Sequence, residues 1–288
     1  MLMFKHLVIA GGGSLTIKIL GTLQYMLENS IITYDIDSIY ATSAGAIIGV
    51  GFALKMDIQL LTNYVINRPW EDMCQITPSH IYNLYSKKGI FDKTCIEKFM
   101  KPLFEFKNID INITLSEFFL ITNIDLHMFA IELDNLTVVD ISHTTFPDLT
   151  IIDALCMTSC LPIAFEPFMY KDVFYIDAGV VLNYPIEYCL KNLGDVDVTT
   201  ILGLQIIENK KYDKIEKEGD LMSYFFLLFC KLFKKTINVK ECEVPNTIKY
   251  FSDETIYSSL IDSFSSEKRQ GYIDEGIEYG KNFSSIQS

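Results

Sequence analysis

One tryptophan, four histidines and no surplus of positive charge set the first limits on this 288-residue chain. Lys and Arg total 24 against 37 Asp and Glu, a formal net charge of −13. Neutralising phosphates takes a clustered basic face, so nucleic acid is not an expected partner. The same balance argues against simple electrostatic adhesion to an anionic membrane. Seven cysteines, an odd number at scattered spacings, outline neither a disulfide framework nor a zinc pattern. They read as reduced, mostly buried thiols of an intracellular protein, cytoplasmic or peripheral to a membrane. No apolar run approaches the roughly twenty residues that span a bilayer. The N-terminal run meets Gly11-Gly12-Gly13 too early for a signal peptide. Pro/Gly/Ser-rich linkers, internal repeats and low-complexity tracts are missing too, so residues 1–288 are expected to form a single domain.

What is present is a 49% hydrophobic fraction, enough for a sizeable core. Leu7-Val8-Ile9-Ala10 reads as a buried strand running into Gly11-Gly12-Gly13-Ser14, and Ile17, Leu20, Leu23 and Leu27 then recur at helical spacing. Glycine in a strand-to-helix loop permits positive φ and turns backbone N–H groups toward a bound group, while the helix N-terminus adds partial positive charge. A dinucleotide loop would want G-x-G-x-x-G, but Thr16 stands at the last position. The loop therefore fits an oxyanion better than a pyrophosphate.

The segment from Asp35 to Tyr40 reads as a strand and the run from Ala46 to Leu54 as a helix, with Ala41-Thr42-Ser43-Ala44-Gly45 between them. That is the nucleophile-elbow spacing G-x-S-x-G with its first glycine replaced by Ala41. A serine held at such an apex becomes a nucleophile when a base and oxyanion donors are close. A third piece, Val173 to Asp177 followed by Ala178-Gly179, is a strand ending on a carboxylate and two small residues. In an α/β-hydrolase the base follows the acid, yet none of His6, His80, His127 and His143 follows Asp177. A triad built on an earlier acid such as Asp125 with His127 or His143 stays open, and a Ser43–Asp177 dyad is the simpler scheme.

In this order the three motifs resemble the patatin-like phospholipases. The family's oxyanion loop corresponds to Gly11-Gly12-Gly13-Ser14, its serine elbow to Ala41 through Gly45, and its aspartate motif to Asp177-Ala178-Gly179. Residues Ile151 to Pro162 resemble the family's helix and Ser-x-x-Pro turn, and Leu126 to Glu132, the Asp134-Asn135 turn and Leu136 to Ile141 resemble the preceding hairpin. The likeness covers roughly residues 5–205, leaving 206–288 as a C-terminal extension. It implies Ser43 as nucleophile, Asp177 as base and a lipid substrate, a phospholipid, lysophospholipid or neutral glyceride. A carboxylate base needs no metal or organic cofactor. Leu15 stands where the family commonly has a basic residue, Thr16 where it has glycine, and Ala41 and Ala178 replace glycines. The Ala41 methyl is expected to crowd the elbow, with strain on the order of 1–3 kcal/mol wherever such a position needs an unusual φ. These four departures support a rival reading as a catalytically weak or inert lipid-binding protein of the same fold.

The remaining pattern predicts the layers. Asp57 and Asp92 are candidate N-caps, Thr114-Leu115-Ser116-Glu117 is a capping-box signature, Pro185 opens a helix, and Thr200 to Leu204 reads as a strand. The alternation predicts an α/β protein, a three-layer α/β/α sandwich with a mostly parallel central sheet. Leu221 to Cys230 is nearly all apolar, and Lys231, Lys234 and Lys235 follow in the same predicted helix. Residues 221–235 read either as a core helix with a basic end or as an interfacial element dipping Phe225, Phe226, Leu228 and Phe229 into lipid.

Overall fold

The computed structural model describes residues 3–70, 84–208, 221–237, 240, 242–254 and 264–287. In chain order its strands are β1 (His6–Ile9), β2 (Ser38–Thr42), β3 (Gly89–Phe91), β4 (Asp125–Glu132), β5 (Thr137–Ile141), β6 (Ile163–Phe165), β7 (Phe168–Tyr170), β8 (Val173–Asp177), β9 (Ile201–Glu208) and β10 (Thr247–Ser252). Its helices are α1 (Thr16–Glu28), α2 (Ala44–Ala53), α3 (Ile58–Asn67), α4 (Lys93–Phe106), α5 (Leu115–Thr122), α6 (Ile151–Ser159), α7 (Ile186–Leu193), α8 (Leu221–Thr236) and α9 (Ser266–Gln287).

Every residue of β1 and β2 is buried, as strands covered on both faces require. Side chains alternate accordingly. Leu7, Ile9, Ile39, Ala41, Met128 and Ala130 enter one core, which α1, α2, α3, α4 and α6 cover. Val8, Tyr40, Phe129 and Ile131 enter a second, beneath Ile186 and Cys189 of α7 and Cys230 and Phe233 of α8. The expected three layers and mostly parallel sheet are both present. Strand β2 begins at Ser38 rather than Asp35, because the N–H groups of Asp37 and Ser38 both turn to the Lys5 carbonyl. Asp57, Asp92 and Thr114 cap α3, α4 and α5, and Thr114 forms the full capping box with Glu117.

Strands β10, β9, β1, β2 and β4 run parallel in that order. Strand β5 returns antiparallel along β4 from Met128 to Glu132. On the other edge of β4 two strands meet end to end. Parallel β2 finishes with Thr42 opposite Phe129, and antiparallel β8 finishes with Asp177 opposite Ala130. The chain therefore leaves both strands at one point, and Ser43 follows directly from the first.

Beyond residue 205, β10 extends the sheet and α9 lies along α1. The two helix backbones touch at Gly21 and Gly276, where a Cβ on either would strike the other helix. Helix α8 is part core and part surface. Cys230 and Phe233 pack on the second core, while Tyr224, Lys231, Leu232 and Lys235 are exposed. The side chains of Phe225, Phe226, Phe229 and Lys234 lie outside the described residues. Among the described residues no helix is long and apolar enough to cross a membrane.

Candidate active site

Ser43 stands at the N-cap of α2 with φ 55° and ψ −132°, the left-handed side of backbone space that a side chain enters at a cost of about 1–3 kcal/mol. Two bonds hold it there. Its carbonyl accepts from Ala46 N at 2.8 Å, and its N–H donates to Thr158 Oγ1 at 3.1 Å. Gly45 lies in the first turn of α2 against the carbonyl of Ala10, just after β1. The strain is thus at the serine and not at its neighbours. Ala41 lies within β2 and Ala178 in the short turn after β8, neither has positive φ, and both are fully buried. The expected crowding at Ala41 does not occur, because the sharp turn starts two residues later.

Asp177 ends β8 at 2% exposure. Its Oδ1 accepts from the N–H of Gly179 at 2.7 Å, and the Ser43 side chain beside it favours the ionised form. Burial outweighs both influences and pushes the carboxyl up to about 7. A base with that affinity for protons is matched to work near neutral pH.

The glycine loop takes the third side of the site. Gly12 has φ 152° and Gly13 φ 55°, conformations that side chains rarely adopt. The chain then turns through Gly13–Leu15 into α1, with Thr16 Oγ1 donating to the Gly13 carbonyl at 2.7 Å. Among the described residues no acceptor takes the N–H groups of Gly12, Gly13 and Ser14, and the buried Ser14 Oγ has no partner. Leu15 points into the main core, fully buried, so the position where the family carries a basic residue brings no charge to the site.

These groups form the polar end of a cavity of about 240 Å³. Its walls are apolar: Ile17 and Leu20 from α1, Ile47 from α2, Ile96 and Phe99 from α4, and Trp70 and Phe165 beyond them. A serine hydroxyl and a buried carboxylate in one cavity, beside a loop with unused N–H groups, can carry out acyl transfer on an ester whose chain fills the walls.

The histidines are elsewhere. His127 is on β4 in register with Tyr40, on the sheet face away from the cavity, and stacks on the Tyr40 ring at 4.4 Å. Its Nδ1 lies 2.9 Å from both carboxylate oxygens of Asp140, its Nε2 lies 3.1 Å from Asp125 Oδ2, and His143 Nδ1 lies 3.1 Å from Asp125 Oδ1. Burial would lower the His127 proton affinity, but the two carboxylates outweigh it and hold the imidazole up at about 9. The geometry therefore does not support a triad through His127 or His143. His6 bonds Ser38 at the base of the sheet, and His80 lies outside the described residues.

Two residues that hold the site went unread in the sequence. Thr158 received no role, although it immediately precedes the Ser-x-x-Pro turn. Asn183, two residues before Pro185, lines the cavity and accepts the Gly11 N–H on its own carbonyl at 3.0 Å.

Sheet order, elbow and strand-end acid together define a mostly parallel α/β architecture with its candidate site where β2 and β8 end. The family model of the patatin-like phospholipases matches residues 7–190, and the chain belongs to that family. It is 27% identical over 190 residues to the probable lipid hydrolase 463L of Invertebrate iridescent virus 6, covering 65% of this chain and 64% of that protein. To the uncharacterized protein R571 of Acanthamoeba polyphaga mimivirus it is 23% identical over 214 residues, 73% and 67% of the two chains. Among solved structures, VipD from Legionella pneumophila superposes with a TM-score of 0.58 at 15% identity, over 97% of this chain and 66% of VipD. The type III effector protein ExoU superposes with a TM-score of 0.50 at 12% identity, over 98% of this chain and 53% of ExoU. The chain thus spans just under two thirds of the iridescent-virus relative and of VipD.

Proposed function

We propose that this chain is a lipid acyl hydrolase that cleaves the carboxylic ester of a phospholipid or lysophospholipid through Ser43 and Asp177. The observation that carries the reading is the strained Ser43 and the buried Asp177 lining one largely apolar cavity together with the Gly12–Ser14 loop. Family membership and the name of the iridescent-virus relative support the same chemistry. Asp177 takes the Ser43 proton as Oγ attacks the ester carbonyl, and the carbonyl electron pair moves onto oxygen. Backbone N–H groups of Gly12, Gly13 and Ser14 stabilise that oxyanion. Collapse of the intermediate expels the alcohol, which recovers the proton from Asp177, and water then releases the fatty acid by the same route. Neither a metal nor an organic cofactor is needed for these steps. Contact with aggregated lipid falls in this reading to residues 221–235, where Tyr224 and Leu232 are exposed beside Lys231 and Lys235. Ordinary backbone at Ala41 and Ala178 removes the strain that would have favoured an inert lipid binder.

The test is release of fatty acid from phospholipid and lysophospholipid vesicles by wild type and by Ser43→Ala. Release that falls by about 10³ or more in the variant is expected. Equal release by both proteins would refute the reading.

A further inference from the structure

We infer that Asn183 is a catalytic residue of this site, its side-chain amide donating a hydrogen bond to the oxyanion formed at the ester carbonyl. The inference rests on the serine-hydrolase reading above and adds to it a side-chain donor that the glycine loop does not supply. Gly11 shows where Asn183 stands. A Cβ built there would lie 2.8 Å from Asn183 Oδ1, 3.1 Å from Ser43 Cβ and 3.1 Å from the Thr42 carbonyl. Two segments thus converge on one glycine, and the Asn183 amide and the nucleophile flank the same point. On the Asp177 side, a Cβ on Gly179 would lie 3.0 Å from Asp177 Oδ1 and 3.5 Å from Asn183 Oδ1. The amide therefore sits between the glycine loop and the aspartate turn.

Its orientation follows. Oδ1 is the Asn183 atom nearest Gly11 and Gly179, and Asn183 lines the cavity together with Ser43 and Asp177, so Nδ2 is assigned to the cavity side. Among the described residues nothing bonds to this amide, while the residue's backbone is pinned by the bond from Gly11 N. A fixed backbone carrying an unengaged donor beside a nucleophile is suited to charge that develops during the reaction. When Ser43 Oγ bonds to the carbonyl carbon, the π pair moves to oxygen and the Ser43 proton passes to Asp177. Asn183 keeps its own proton and shares it with the new oxyanion.

The experiment is steady-state hydrolysis of a soluble short-chain ester, on the pH plateau, by wild type, Asn183→Ala and the near-isosteric Asn183→Leu, each with a thermal melt. A missing oxyanion donor predicts a loss of about 10²–10³ in kcat with KM changed by less than about threefold and an unchanged melting transition. Either folded variant keeping kcat within about threefold of wild type overturns the inference. So does loss of kcat in both variants in step with loss of the folded transition, which would make Asn183 a structural residue. Absence of hydrolysis by wild type would instead strike at the serine-hydrolase reading beneath it.

Discussion

The N–H of Ser43 donates to Thr158 Oγ1 at 3.1 Å, and that same hydroxyl donates to the Phe129 carbonyl at 2.6 Å. One buried side chain on α6 thereby ties the strained apex after β2 to the strand that β2 and β8 share. Thr158→Val keeps the shape but leaves the Ser43 N–H and the Phe129 carbonyl without that partner. The expected loss is about 1–3 kcal/mol in urea unfolding, together with reduced ester hydrolysis, whereas Thr158→Ser should retain most of both. A valine variant equal to wild type in midpoint and rate would show that the elbow holds its shape without the hydroxyl.

With Asp177 as its base, the proposed mechanism carries a pH signature. Only the ionised carboxylate accepts the Ser43 proton, so kcat/KM should rise with pH through about 7 and level off above it. Stability runs the other way. A folded-state proton affinity raised from the ordinary 3.8 to about 7 contributes stability fully present below 3.8 and lost as pH rises through 7. Asp177→Asn, inactive, should therefore melt higher than wild type at pH 8, with an advantage that shrinks as pH falls and is gone only below about 4. A rate profile flat from pH 5 to 9 would remove Asp177 from the role of base.

His127 should prove structural. Its replacement by alanine leaves Asp140 with only the Asn192 amide and Asp125 with only His143 among the described residues, a loss on the order of 3 kcal/mol at pH 6. Because the folded imidazole is raised from 6.5 to about 9, the stabilisation is complete below 6.5 and fades as pH rises through 9. The stability difference between His127→Ala and wild type should shrink over that window, and the variant protein that folds should hydrolyse ester within about twofold of wild type. A folded variant as inactive as Ser43→Ala would bring the triad back.

Ala41→Gly tests where the turn begins. In a regular strand, fully buried, the methyl stabilises packing, so glycine should lower stability by about 0.5–1 kcal/mol without raising turnover. Faster hydrolysis at unchanged stability would mean that the methyl does crowd the elbow.

How much of this could be read in the chain depended on how local each cause was. The glycine loop, the elbow and the strand-end aspartate are short segments whose backbone demands are written in their own residues. The helix caps at Asp57, Asp92 and Thr114 were legible for the same reason, each bonding an N–H two or three residues ahead. Ala41 was misread because small-residue spacing marks a turn without saying which residue takes positive φ, and that residue is Ser43. Thr158 and Asn183 were missed because their partners, Phe129 and Gly11, are distant in sequence and meet them only through the register of β4 and the glycine loop. The mixed character of α8 was hidden likewise, since an apolar run does not say which of its faces meets the sheet.

The most direct measurement is active-site labelling with a fluorophosphonate, followed by mapping of the modified residue by mass spectrometry. A single adduct on the peptide containing Ser43 is expected, absent in Ser43→Ala and formed at least about 10²-fold more slowly in Asp177→Asn, which keeps the nucleophile but lacks its base. Labelling of a different residue, or a Ser43→Ala variant that is labelled as readily as wild type, would contradict the assignment of Ser43 as the nucleophile.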